Sequence, residues 1–105
     1  MPADSGETLD VINPATEAVL GKVASAGATD VDRAVKAARR AFDEGPWATM
    51  RPAERQRLLL KLADLVEANA QALAEVESLD NGKSVGIARA VDIAVAVDTL
   101  RYMAG

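Results

Sequence analysis

The chain has 105 residues, 50% of them hydrophobic, a formal charge of -4 and a pI of about 4.7, and it contains neither Cys nor His. That length allows one compact domain and not two, and the acidic balance argues against nucleic acid and anionic membrane as partners, because phosphate binding needs clustered Lys and Arg. Without thiols or imidazoles there are no disulfides, no thiolate metal site, no cysteine nucleophile, and neither the commonest general base nor the commonest metal ligand.

Met1 to Glu7 is acidic and lacks the basic and apolar regions of a signal peptide, so a cytoplasmic chain beginning with a short disordered tail over 1–7 is expected. Thr8 to Ile12 and Ala18 to Ala24 are rich in β-formers. Between them, Asn13-Pro14-Ala15-Thr16-Glu17 is a turn with a mechanism, since Pro fixes φ and Asn bonds its own backbone. The pattern predicts an antiparallel hairpin over 8–24. Thr29 is placed to cap a helix over about 29–42, with Asp30 and Asp32 at its positive end. Val31, Val35, Ala38 and Phe42 form an apolar stripe on that helix, opposite Asp32, Arg33, Lys36, Arg39 and Arg40. Asp43-Glu44-Gly45-Pro46-Trp47 stops it.

Pro52 suits the first turn of a second helix, over 52–68, where its missing N–H is no loss. Asn69 marks a kink or a new cap. A third helix follows over 70–80, and Asn81-Gly82 supplies the left-handed residues that end helices. A fourth helix is expected over 84–103. Its apolar positions, Val85, Ile87, Ala88, Val91, Ile93, Ala94, Val95, Val97 and Leu100, reach most of the way round, the pattern of a helix covered on several sides. Arg89, Asp92, Asp98 and Arg101 interrupt it, and each would cost roughly 2.5–3.5 kcal/mol at a bilayer centre, so this is not a membrane span. Arg89 with Asp92, and Asp98 with Arg101, stand at i,i+3 and are expected to pair along the helix. The fold class is mostly α with a small N-terminal β-hairpin.

Lys83, with no other basic residue close in sequence, reads as a solvated lysine, and Glu75, Glu77 and Asp80 as the polar side of a helix. Trp47 and Tyr102 read as packing anchors with a hydrogen-bonded edge.

Several segments, taken together and in order, carry a resemblance. These are Val11-Ile12-Asn13-Pro14-Ala15-Thr16, Ala28 to Val35, Gly45-Pro46-Trp47, Arg51 to Leu60, Ser78-Leu79-Asp80-Asn81-Gly82-Lys83 and Leu100 to Gly105. The chain resembles the N-terminal segment of an aldehyde dehydrogenase and would be a partial domain of that α/β fold, a truncated fragment of an oxidoreductase. Many family members carry Gly close to the position of Glu17. The resemblance implies a parent that oxidises an aldehyde to a carboxylic acid with NAD or NADP, through a cysteine thiohemiacetal, a glutamate base and an asparagine N–H. None of those motifs is in these residues, so no catalytic or cofactor-binding residue is assigned and the isolated chain is expected to be inactive.

The resemblance further implies a monovalent-cation site, K+ or Na+, formed by Asp80 with the backbone carbonyls of Val11 and Ile12. A hard cation takes oxygen ligands, and a helix C-terminus offers carbonyls with partial negative charge. Alternatively, Asp80 is a polar residue in a helix-ending turn. Expected partners are the remainder of the enzyme or a second copy through the C-terminal helix. The rival reading of the whole chain is a free-standing helical interaction and dimerisation module that uses that helix.

Overall fold

Thr8–Ile12 (β1) and Val19–Ala24 (β2) pair antiparallel, Thr8 opposite Ala24 and Val11 opposite Gly21. The register slips between Val11 and Ile12, which faces Val19, so Leu20 is the extra residue of a bulge. The computed structural model describes residues 1–105. They form two units, Met1–Ile12 with Val19–Met50, and Asn13–Ala18 with Arg51–Gly105.

In the first unit, α1 (Ala28–Glu44) begins one residue before the expected cap. Thr29 makes no capping bond. Asp30 does that work from inside the first turn, accepting from the Gly27 N–H at 3.0 Å and also from the Asp4 N–H at 3.0 Å. Close by, Gly6 N–H donates to the Ala3 carbonyl at 3.0 Å, and Ala3 is buried. The α1 stripe stays open to solvent, with Val31, Val35 and Phe42 at 56%, 61% and 73% exposure. The helix ends at Gly45, which is extended ahead of Pro46, and a Cβ on it would collide with the Ala41 carbonyl. A short α2 (Pro46–Thr49) follows.

In the second unit, Asn13–Ala18 forms the turn read from the sequence. Asn13 Oδ1 accepts from Ala15 N–H at 2.9 Å and its carbonyl accepts from Glu17 N–H at 2.8 Å. Glu17 takes φ 59°, the left-handed conformation that favours glycine. Helix α3 (Pro52–Ala68) starts with Pro52 at its first position and Glu54 accepting from the Arg51 N–H. Asn69 closes it, its Nδ2 donating to the Leu65 carbonyl at 2.8 Å, and α4 (Ala70–Asn81) begins at once. After Gly82 the chain runs back through α5 (Val85–Ile87), a π-helical segment (Ala88–Ile93) and α6 (Ala94–Ala104).

The returning helix is therefore one rod with a wide turn inside it. Its π segment packs on α4 and α6 packs on α3. Ala63, Ala74 and Ala88 are fully buried and Val97 nearly so. Small side chains at these crossings let the helix axes approach closely. No helix is long and apolar enough to cross a membrane.

Candidate functional site

The densest polar constellation surrounds the turn that joins α4 to α5. Asn81 holds the turn twice: its Oδ1 accepts from the Lys83 N–H at 2.8 Å and its Nδ2 donates to Glu77 Oε1 at 3.3 Å. Gly82 takes φ 79°, and a Cβ on it would come within 3.0 Å of Pro14 Cγ, so both conformation and contact call for glycine here.

This geometry aims Lys83 inward. Its Nζ donates to Asp92 Oδ2 at 2.5 Å and to Glu77 Oε1 at 3.3 Å, all three side chains being half-buried. The Asp92 carboxylate, with help from Glu77, holds the Lys83 ammonium above its ordinary range. In return Lys83 holds the Asp92 carboxyl below its ordinary range. The expectation of a solvated Lys83 is corrected: it ties the end of α4 to the π segment.

The expected i,i+3 pairs do not form either. Arg89 reaches Gln71 Oε1 on α4 at 3.4 Å, and Arg101 reaches Asp64 Oδ1 at 3.1 Å and Glu67 Oε2 at 2.6 Å on α3. Glu67, then Asp64, raise the Arg101 guanidinium above its ordinary range. The physical reason is partly local: i→i+5 bonding widens the turn around Arg89 and Asp92, so residues three apart no longer stack. Between these pairs lies an open groove of about 260 Å³ floored by Val97 and rimmed by Glu67, Arg89 and Asp98.

Asp80 lies on the last turn of α4 with its side chain exposed and outside every ion pair. It thus offers a hard oxygen ligand without a competing cation. Val11 and Ile12 lie at the bulged end of β1, in the other unit. No three acidic side chains cluster as a metal-ligand group. Trp47 and Tyr102, read as anchors, are 45% and 80% exposed and pack little on this chain's own residues. What sequence reasoning missed is the Lys83 node and the π segment. Partners six and nine residues apart, across a turn, leave no periodic signal.

The sequence pattern of the aldehyde dehydrogenase family matches residues 1–105. An aldehyde dehydrogenase of Alternaria alternata is 52% identical over 103 residues, covering 98% of this chain and 20% of that protein. Aldehyde dehydrogenase 1 of Tanacetum cinerariifolium is 50% identical over 101 residues, covering 96% of this chain and 20% of its own. Among solved structures, the NAD+ complex of an aldehyde dehydrogenase from Bacillus cereus superposes with a TM-score of 0.96 at 50% identity, over 100% of this chain and 21% of that one. The chain spans about a fifth of the length of the relatives it matches. Its strand pairing, its order of helices and its residues along their whole length place it in the aldehyde dehydrogenase family, as an N-terminal segment of that fold.

Proposed function

We propose that this chain is a scaffolding segment of an NAD(P)-dependent aldehyde dehydrogenase and contributes no reacting atom to the oxidation. The observation that carries the reading is its surface. Val35, Phe42, Val76, Val95, Tyr102 and Met103 are all more than half exposed, although the chain matches proteins about five times as long. Such side chains are apolar area awaiting cover, and the rest of the enzyme is the cover that the family match supports. The absence of Cys and His agrees, since the thiohemiacetal chemistry of the family needs a thiolate that these residues do not hold. NAD or NADP, when bound, accepts the hydride. What these residues supply is the packed frame of α3, α4 and α6.

A structural K+ or Na+ held by Asp80 with the carbonyls of Val11 and Ile12 belongs to the same reading, supported by the unpaired carboxylate of Asp80. Replacing Asp80 with Ala in the full-length enzyme should abolish any K+ or Na+ dependence of its melting temperature, and an unchanged dependence would remove the assignment.

The rival, a self-associating helical module, is favoured by the exposed row Ile87, Val91 and Val95. Purified as it stands, the chain should give no aldehyde-dependent NADH signal. Such a signal, absent from a preparation lacking the gene, would overturn the scaffold reading. A stable dimer by light scattering, with unrelated sequence encoded downstream, would favour the module.

A further inference from the structure

The burial pattern of the returning helix contains a slip. Val85, Ala88 and Asp92 are the less exposed positions of its first half, and Ile93, Val97, Leu100 and Ala104 those of its second. Within each half the steps are three or four residues, as an α-helix requires. Between the halves the inward position moves on by one residue, from Asp92 to Ile93. A straight α-helix would leave the two faces apart by one residue's rotation, about 100°. The wide turn of Ala88–Ile93 absorbs that rotation, because each i→i+5 turn takes up one residue more than an α turn. One helix thus presents Ala88 and Asp92 to α4 and Val97 and Arg101 to α3.

Relaxation of the π segment to α would carry Ala96 into the place of Val97, Thr99 into that of Leu100, and Leu100 into that of Arg101. A leucine would then face Asp64 and Glu67, and a threonine would enter an apolar contact. Each end of the register is also fastened by an ion pair, Lys83 to Asp92 before the slip is complete and Arg101 to Glu67 beyond it. We propose that the π segment is a built-in one-residue insertion, held between the Lys83 and Arg101 clamps, that turns the two inward faces of one helix onto α4 and α3 together. This does not depend on the scaffold reading, because it concerns the register of one helix and not the reaction.

The insertion has a specific consequence: it can absorb the loss of one residue, and only one. Ala90 is exposed within the segment and Ala96 is exposed beyond it. Removing Ala90 from the full-length protein should give an unbroken α-helix in the crystal, with Val97 still buried and Arg101 still on Asp64 and Glu67. Removing Ala90 and Ala96 together leaves nothing to absorb the second deletion. Arg101 should then lose both partners, and amide protection over 94–104 should fall. A single deletion that unfolds the protein, keeps the π turn or displaces Arg101 would overturn the proposal. So would a double deletion that leaves the α6 contacts intact.

Discussion

Glu17 and Gly82 both occupy the left-handed region, and only one of them is glycine. For a residue with a Cβ that conformation costs roughly 1–2 kcal/mol, partly offset in glycine by its greater unfolded-state freedom. Glu17→Gly should therefore raise stability by about 0.5–1 kcal/mol, read as the urea midpoint. Gly82→Ala should lower it by about 1–2 kcal/mol, since the added carbon also meets Pro14. Asp30, Glu54 and Asp92 sit below their ordinary values of 3.8, 4.5 and 3.8, held there first by the Gly27 amide, the Arg51 guanidinium and the Lys83 ammonium respectively. A depressed carboxyl contributes stability that is complete above its ordinary value and is lost as pH falls through the lowered one. The urea midpoint should hold from neutral pH to about 5 and drop below about 4, with a shallower drop in Asp92→Asn. At this scale the sequence was readable where chemistry acts within a few residues. Asn13, Asn69 and Gly82 show their roles in their neighbours. Lys83 does not, because its strongest partner is brought near only by the turn itself.

The helices were legible from period and punctuation: Pro52 opens one, Asn69 divides two and Gly82 ends a third. What periodicity could not show is why the last helix looks apolar almost all round. Two faces one residue out of phase, overlaid on a single helical wheel, give the same impression as a helix covered on every side. Val97 sits where that helix crosses α3 at 4% exposure. Val97→Ala should cost about 2 kcal/mol for the lost methyl groups and the void. The same change at Val95, 58% exposed, should cost little in the isolated chain. Comparing the two by denaturation would separate the face used within this chain from the face turned away.

Taken whole, the chain leaves many large apolar side chains open to solvent, Phe42, Tyr102 and Met103 among them. Exposed apolar side chains of this kind are what obligate partners bury. Phe42→Ala therefore has two expected outcomes. In the isolated chain, where Phe42 is 73% exposed, the melt should barely change. In a full-length enzyme that covers α1, it should cost about 3–5 kcal/mol. Equal small effects in both would mean that α1 is left bare. Composition alone foretold the excess of apolar residues but not how few this chain buries, since burial depends on what lies opposite. The seam it does bury is lined at Ala63, Ala74 and Ala88 by nothing larger than a methyl group, and so has no slack. Any longer side chain at those three places acts as a wedge that prises the rods apart. Drift in this seam is therefore one-sided: its three alanines can be exchanged for glycine but for nothing larger.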